Sequence, residues 1–580
     1  MKSVSSGIEQ LSDLAMEVLR ARYLLKVNGA QETPVQMMER VATAAASVEE
    51  ACTRTETADR YFQLLKSLKF LPNSPTLMNA GKADGQLSAC FVIPIEDTLP
   101  SIFDALKEAA LIHQSGGGTG FSFSRLRPKG SEVRTTGGVA SGPLSFMKVF
   151  DTATETIKQG GARRGANMAV LRVDHPDILD FIDLKRDFRE LTNFNISVGV
   201  TDSFMEAALS GGLLELREPS SGQVVHRIRA REVFDRLVGS AWLSGDPGLV
   251  FLDRMNRFNP TPSEGSFEST NPCGEQPLLG YESCNLGSFD LSRYWLVGPR
   301  VLDWDAFGRD IRVAVRFLDN VIDANVFPTS STRLATLKTR KIGLGVMGFA
   351  DLLLMSGLPY ESLEARSLGE ACMAFLGREA RRASAELARE KGPFPSFVGS
   401  LWDSLGFPPL RNATVSTVAP TGTISLIAGC SSGIEPIFAP VMARNILEGR
   451  RIVEVHPCIK RLLEIRGGSD AWALQSENEQ HRFLRDFFGP AWSPAGGVSA
   501  SGHVQMQAAF QRHSDSAVSK TVNLPSSASA RSVEEAYFLA YESGCKGITV
   551  FRDQSRPSQV MESTSLGASG GTCDTSCPEC

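Results

Sequence analysis

The residues whose types and spacing could do chemistry are concentrated in one short segment, Asn271-Pro-Cys-Gly-Glu275. A thiol there lies two residues from a carboxylate and two residues from an amide, in a turn shaped by proline and glycine. Such a turn can bring a nucleophile or radical carrier, a base and a hydrogen-bond donor close together. The same spacing also occurs in purely structural turns. The segment therefore indicates a catalytic site only when the other motifs of the chain are considered with it.

Other cysteines could serve redox exchange or bind a metal. The final segment, CDTSCPEC, holds Cys573, Cys577 and Cys580. This cluster suits either a redox-active arm or part of a zinc site, and the spacing leaves both open. The 7 histidines show no metal-binding spacing, so we predict no metal centre built by the protein itself. We expect the cysteines in apolar or helical surroundings to be buried and inert: Cys52, Cys372, Cys430, Cys458 and Cys545.

Three regions follow one another along the chain. Residues 1–70 have apolar residues at three- and four-residue spacing, which predicts helices. Residues 71–553 alternate short apolar runs with longer amphipathic stretches, which predicts an α/β domain with a largely parallel sheet covered by helices. Residues 554–580 are rich in Ser, Gly and Thr, and we expect a flexible tail. Glycine-rich loops, which let a backbone approach a ligand, separate the elements: 116–120, 136–142, 159–166 and 420–425.

Composition and charge exclude several classes of protein. The 580 residues are 42% hydrophobic and 22% charged, as in ordinary globular proteins. The formal net charge of −5 gives no overall basic field, so we expect no nucleic-acid partner, and nucleotides must bind at local sites. No apolar run reaches the roughly 18 residues of a membrane helix, and the first residues lack the apolar core of a secretory signal. We therefore predict a cytoplasmic protein without a membrane partner, in a compartment that keeps thiols reduced.

Several longer motifs occur together in one order: NSPTLMNAG (73–81), LSACFVIP (87–94), NPCGEQPL (271–278), YESCNLGS (281–288), KIGLGVMGFADLL (341–353), APTGTIS (419–425) and AVSKTVNLP (517–525). In these motifs the chain resembles the large catalytic chain of ribonucleotide reductases, over roughly four fifths of its length. The resemblance implies a ten-stranded α/β barrel of two five-stranded parallel halves, with a central finger loop that carries a radical-bearing cysteine.

The resemblance implies a role for each polar residue of the NPCGE turn. Cys273 would be the thiyl radical that removes the 3′-hydrogen of the substrate ribose, Glu275 would take the 3′-hydroxyl proton, and Asn271 would hold the 2′-hydroxyl. Cys90 and Cys284 would be the reducing pair, which becomes a disulfide at each turnover. Further residues would surround the substrate: Ser74, Ala89 and Gly118, together with Pro420, Thr421, Gly422, Thr423 and Ile424, which would bind its phosphates.

The resemblance also implies partners. A deoxynucleoside triphosphate effector would bind between two subunits, so we expect a homodimer; the residues concerned would be Asp97, Arg134, Lys158, Gln159 and Arg163. The disulfide would be reduced by exchange with Cys577 and Cys580 of the tail, and then by a thioredoxin- or glutaredoxin-type reductant. The sequence leaves diphosphate and triphosphate substrates open, and the resemblance to dimeric relatives, which usually use diphosphates, leads us to expect a ribonucleoside diphosphate.

Three radical sources occur in the family, and the sequence favours adenosylcobalamin. Residues 546–556, KGITVFRDQSR, contain Phe551 but no tandem tyrosines of the kind that receive a radical from a metal-bearing subunit, and no RxxGY glycyl-radical segment is visible. GITVFRDxSR resembles the adenosylcobalamin-dependent branch, and we expect no ATP-binding cone within residues 1–70. Two alternatives stay open: the large subunit of an oxygen-dependent reductase, and a catalytically silent nucleotide-binding regulator.

Overall fold

A closed ring of ten strands forms the centre of the molecule. The computed structural model describes residues 7–27, 29–133, 137–157, 165–187, 189–446, 450–465, 470–556 and 561–563. Within these ranges the ring consists of two parallel halves that meet at two antiparallel joints.

The first half of the ring has five strands: β1 (Cys90–Val92), β2 (Gly118–Ser122), β3 (Asn167–Arg172), β4 (Phe194–Val200) and β5 (Gly248–Phe251). Each strand pairs with the next in parallel. The residues of β5 are buried throughout, and those of β3 nearly throughout. Such continuous burial is typical of parallel strands that have helices on one side and a filled interior on the other.

The second half contains β6 (Ser283–Asp290), β7 (Ile342–Met347), β8 (Thr521–Leu524) and β9 (Gly547–Arg552). β6 is parallel to β7, and β8 is parallel to β9. Residues 416–418 supply the tenth strand, because Ser416 bridges Leu344 of β7 and Val418 bridges Val518 just before β8, both in parallel. The halves join where β6 runs antiparallel to β1 and where β5 runs antiparallel to β9.

Amphipathic helices cover the outside of the ring. The helix Trp304–Ala324 shows the pattern, since its buried residues Phe307, Ile311, Val315 and Leu318 recur every three or four positions. The other helices of the barrel are Leu99–Gln114, Pro143–Thr156, Ile178–Ile182, Asp202–Ser210, Ala230–Ser244, Leu252–Arg257, Ser330–Thr339, Phe349–Ser356, Leu363–Lys391, Leu401–Ser404, Gly422–Ala428, Ala500–Gln511 and Ala530–Glu542.

Two further groups of elements pack against the barrel. Helices Asp13–Arg22, Pro34–Ala46, Ala51–Lys66 and Ser74–Asn79 come first in the chain, and strand Phe70–Pro72 attaches them to β6 in antiparallel pairing. A small sheet of strands Val441–Ile446, Arg450–Val455 and Met561–Ser563 lies with helices Pro457–Ile465 and Glu477–Phe488 beside the second half. Residues of this second group share an apolar cluster with helix Phe349–Ser356, which fixes the group to the barrel.

The predicted fold class is confirmed: the chain forms an α/β barrel of ten strands in two parallel halves, preceded by a helical region. One expectation about burial is wrong. Cys52 is exposed near the start of helix Ala51–Lys66, on the side that faces solvent, whereas Cys372, Cys430, Cys458 and Cys545 are buried. Within the described ranges, every helix is too short or too polar to span a lipid bilayer.

Candidate active site

A hairpin enters the barrel and carries the NPCGE turn at its tip. Strands Ser269–Thr270 and Pro277–Leu278 pair in antiparallel fashion, and residues 271–276 form the tip; we call residues 269–278 the finger. Asn271 closes the tip, because its backbone N–H donates to the carbonyl of Gln276 at 3.1 Å and its Oδ1 accepts from the Gln276 N–H at 3.0 Å. Gly274 has φ +82°, a conformation that other residues adopt only with strain.

Glycines of β2 let the finger lie directly on the barrel wall. A Cβ at Gly120 would be 1.7 Å from the carbonyl oxygen of Thr270, and a Cβ at Gly118 would be 2.8 Å from Cγ of Pro272. The glycine-rich segment 116–120 is predicted to approach a ligand. Two of its glycines, Gly118 and Gly120, lie against the finger, and the predicted contact of Gly118 with substrate stays a prediction.

Two polar side chains and one backbone N–H hold the finger tip. Asn195 of β4 donates from Nδ2 to the carbonyl of Pro272 at 2.8 Å. On the other side of the tip, the carbonyl of Glu275 accepts from Thr417 Oγ1 at 3.0 Å and from the backbone N–H of Ala517 at 2.8 Å. Sequence reasoning missed these contacts. The only available signal was a polar residue inside an apolar strand, such as the asparagine of NISVGV.

Cys90 and Cys284 face each other across the joint between the two halves. They are partners in the antiparallel pairing of β1 with β6. The Cα atoms of such partners are about 4.5–5.5 Å apart, which lies within the roughly 4.4–6.8 Å that a disulfide needs. Both residues are free thiols in this structure, with relative exposures of 3% and 1%. The fold therefore brings together two thiols that lie far apart in sequence.

The surroundings of this pair keep both thiols neutral. Burial raises the pKa of Cys90 well above its usual range, and the nearby Glu275 carboxylate raises it further. Burial likewise raises the pKa of the Cys284 thiol, although Lys341 opposes the shift. Asn271 Nδ2 donates to Cys90 Sγ at 3.1 Å, so the turn and the pair are in contact. Neutral thiols can give up hydrogen but do not attack as thiolates.

A cavity of about 500 Å³ opens on a different side of the finger tip. Cys273, which is exposed, forms part of its wall together with residues of β4, β5, β8 and β9. Asn271, Glu275, Cys90 and Cys284 do not line it. The tip therefore has two faces: one meets the cysteine pair and the other meets the cavity.

The PTGTI segment lies beside the cysteine pair. Thr421 has φ +52°, and helix Gly422–Ala428 begins directly after it, with open space above Gly422. The preceding Ala419 belongs to the same apolar cluster as Cys90, Cys284 and Ala89. Ser74 lies in the first turn of its own helix and shares a hydrogen bond of 2.8 Å with the Tyr23 hydroxyl. The first-turn N–H groups at 422 and 423 can meet an anion near the pair.

The residues predicted to bind an effector are only partly described. Asp97 lies on the loop after β1, where it accepts hydrogen bonds from the backbone N–H of Arg127 at 3.2 Å and from Arg127 Nε at 2.6 Å. The remaining candidates lie outside the described residues, as do the tail cysteines: Arg134, Lys158, Gln159, Arg163, Cys573, Cys577 and Cys580. Their roles stay predictions.

A thiol on a finger inside a ten-stranded barrel, next to a buried pair of thiols, defines a thiol-based oxidoreductase of the α/β-barrel class. Residues 88–551 match the family described as "Ribonucleotide reductase, barrel domain", and residues 9–85 match "Ribonucleotide reductase, all-alpha domain". The chain therefore belongs to the ribonucleotide reductase large-chain family.

The chain is also similar to individual proteins of this family. The chain is 47% identical to the vitamin B12-dependent ribonucleoside-diphosphate reductase of Thermoplasma acidophilum, over 99% of this chain and 73% of that protein. It is 48% identical to the protein of the same name from Mycobacterium tuberculosis, over 96% of this chain and 81% of that protein. The ribonucleoside-diphosphate reductase subunit alpha of Chlamydia pneumoniae is 27% identical, over 79% of this chain and 50% of that protein.

Proposed function

We propose that the chain reduces ribonucleoside diphosphates to 2′-deoxyribonucleotides by thiyl-radical chemistry, with adenosylcobalamin as the cofactor. The observation that carries the proposal is the finger tip itself: Cys273 is exposed to a cavity on one face, and the neighbouring Asn271 touches Cys90 of the buried pair on the other. The relatives named as vitamin B12-dependent share 47% and 48% identity with the chain, which supports this choice of radical source.

Each polar group of the turn has a distinct task. The thiyl radical of Cys273 removes the 3′-hydrogen of the ribose, and the buried Glu275 takes the proton of the 3′-hydroxyl. Asn271 holds the 2′-hydroxyl, which leaves as water. Cys90 and Cys284 together give up two hydrogens and become a disulfide, so that one ribonucleotide and two thiols yield one deoxyribonucleotide, one water and one disulfide. Their raised pKa values suit this task, because each thiol retains its hydrogen until the substrate needs it.

The cavity that reaches Cys273 fits part of the cofactor. Its volume of about 500 Å³ is within the range of small-molecule sites. Asn195, Asn523 and the Glu435–Lys520 ion pair offer polar groups, while glycines at 245, 248 and 547 leave room in the wall. When bound, adenosylcobalamin supplies a carbon radical by breaking its Co–C bond. Phe551 of β9 also lines this cavity, and the described residues of its wall include no tyrosine.

The remaining parts of the proposal concern partners. We propose that residues 420–424 bind the substrate phosphates, with Ser74, Ala89 and Gly118 near the substrate. A deoxynucleoside triphosphate would set substrate choice in a homodimer. Cys577 and Cys580 would reduce the internal disulfide, and a thioredoxin- or glutaredoxin-type protein would then reduce them. We propose that the chain works in the cytoplasm, a compartment that keeps thiols reduced.

The proposal is tested by anaerobic reduction of CDP with the purified chain, dithiothreitol and a mixture of effectors, with and without adenosylcobalamin. Formation of dCDP only in the presence of the cofactor is the expected result. If the cofactor gives no activity and a metal-bearing partner subunit restores it, the chain belongs to the oxygen-dependent branch instead. If no dCDP forms with either adenosylcobalamin or the partner subunit, the proposal is overturned.

A further inference from the structure

Two adjoining cavities lie on the outside of the barrel, away from the finger. One, of about 720 Å³, is bounded by the ends of helices Leu252–Arg257, Ala500–Gln511 and Ala530–Glu542. The other, of about 600 Å³, lies between helix Leu363–Lys391 and residues 407–410. Arg381 and Phe407 line both, so the two cavities adjoin at these residues, and we call the pair of cavities the arginine cleft.

The arginine cleft is strongly basic, although the chain as a whole is acidic. Seven arginines and one lysine line it, against three carboxylates, whereas the chain has 60 basic and 65 acidic residues. Several of these arginines are engaged in ion pairs, but Arg254 and Arg389 form none within the described part of the chain; Arg254 Nε is buried without a hydrogen-bond partner there. A concave surface with an excess of one charge sign attracts ligands of the opposite sign.

We propose that the arginine cleft binds a ligand that carries a polyphosphate group. An arginine side chain can form two parallel hydrogen bonds to the oxygens of a phosphate group, and several arginines line each of the two adjoining cavities. Aromatic surface is also available, since Phe258 is 51% exposed and Phe407 is 38% exposed. A planar base could stack on these rings, so the polyphosphate could belong to a nucleotide or be free. This inference does not rest on the proposed function, because binding is measured without turnover.

A short segment connects the arginine cleft to the finger. Arg381 Nη1 donates to Asp515 Oδ1 at 2.7 Å, and two residues later the backbone N–H of Ala517 donates to the carbonyl of Glu275 at 2.8 Å. Lys546 Nζ donates to the Asp515 carbonyl at 2.6 Å and lines both the cleft and the cavity at Cys273. An anion that engages Arg381 would compete with Asp515 and change how firmly residues 515–517 hold the finger.

Isothermal titration calorimetry with sodium tripolyphosphate tests the site on the full chain at low ionic strength. Arg254→Gln and Arg389→Gln should each weaken the binding about tenfold, the loss of one charge-assisted contact. Arg531→Gln is the matched control, because Arg531 is an exposed arginine at the other end of helix Ala530–Glu542. Wild-type affinity in both cleft variants, or equal weakening in the control, would overturn the site. Circular dichroism and thermal melting check that the variants are folded.

Two further experiments identify the class of ligand and test whether the arginine cleft is coupled to the finger through residues 515–517. ATP that binds more tightly than tripolyphosphate, with the same dependence on Arg389, would identify a nucleotide as the source; equal affinities would identify free polyphosphate. Binding of a single-stranded oligonucleotide but not of tripolyphosphate would overturn the ligand class. Hydrogen–deuterium exchange of the peptide around 515–517 should change when tripolyphosphate binds, and unchanged exchange at saturation would overturn the connection to the finger.

Discussion

Substitution of Gly120 by alanine should lower turnover strongly in a chain that still folds. The new Cβ would be 1.7 Å from the carbonyl oxygen of Thr270, whereas Cβ atoms essentially never come closer than 3.0 Å to another heavy atom. The finger backbone must therefore move by about 1.3 Å, the difference between these distances. A displacement of about 1 Å in a reacting group can lower a rate about 100-fold, and overpacking of this kind costs about 1–3 kcal/mol in stability.

Substitutions of two other glycines provide comparisons for the loss of turnover in Gly120→Ala. Gly118→Ala should have an intermediate effect, because its Cβ would meet a side-chain atom of Pro272 at 2.8 Å and a small shift relieves the contact. Gly239→Ala is the control: it lies in helix Ala230–Ser244 with nothing within 4 Å of its added Cβ, so activity should be unchanged and stability equal or slightly higher. The assays are cobalamin-dependent dCDP formation and thermal melting. A folded Gly120→Ala variant with wild-type turnover would refute the packing of the finger on β2.

Three further predictions follow from contacts of the site. Asn195→Ala removes the hydrogen bond that holds the finger tip, worth about 0.5–1.5 kcal/mol, so kcat should fall up to about tenfold while the KM for CDP changes little. Iodoacetamide at pH 8 should label the exposed Cys273 well before Cys90, because the raised pKa of the buried Cys90 thiol keeps it protonated at that pH. Mass spectrometry of peptides shows the order in which the two cysteines are labelled. Lys341→Met leaves the buried Glu282 without its cation, which should lower the free energy of unfolding by about 3–5 kcal/mol. Urea unfolding measures this change.

Each of these has a control or a contrary outcome. Equal losses of kcat and stability in Asn195→Ala would indicate a general structural role rather than positioning of the tip. Early labelling of Cys90 would show that the pair is accessible in the resting protein. Lys338→Met is the control for Lys341→Met. Lys338 pairs with Glu264, but its side chain is 53% exposed, so the substitution should lower the free energy of unfolding by about 1 kcal/mol or less. Similar costs for both lysines would contradict the assigned burial.

The sequence predicted the class of fold because the alternation of short apolar runs with amphipathic stretches reflects the burial of parallel strands. It did not reveal how the ring closes, since residues 416–418 form only single bridges to their neighbours. The NPCGE turn and the two distant cysteines were found through the resemblance, whereas their contact depends on the joint between β1 and β6. Asn195 and Thr417 were missed because a hydrogen bond to a backbone carbonyl leaves little trace in the types of the residues. The exposure of Cys52 was missed because helical context alone does not say which side of a helix faces solvent.

The most direct test of the central claim is the turnover of Cys273→Ser in anaerobic CDP reduction with adenosylcobalamin. A hydroxyl differs from a thiol by one atom but does not serve as the radical carrier, so dCDP formation should fall to background. Equilibrium dialysis should show CDP binding within about twofold of wild type, because the change removes chemistry and not the binding surface. Loss of turnover with retained binding is the predicted result. Turnover that survives the substitution would contradict the assignment of Cys273 and, with it, the proposed mechanism.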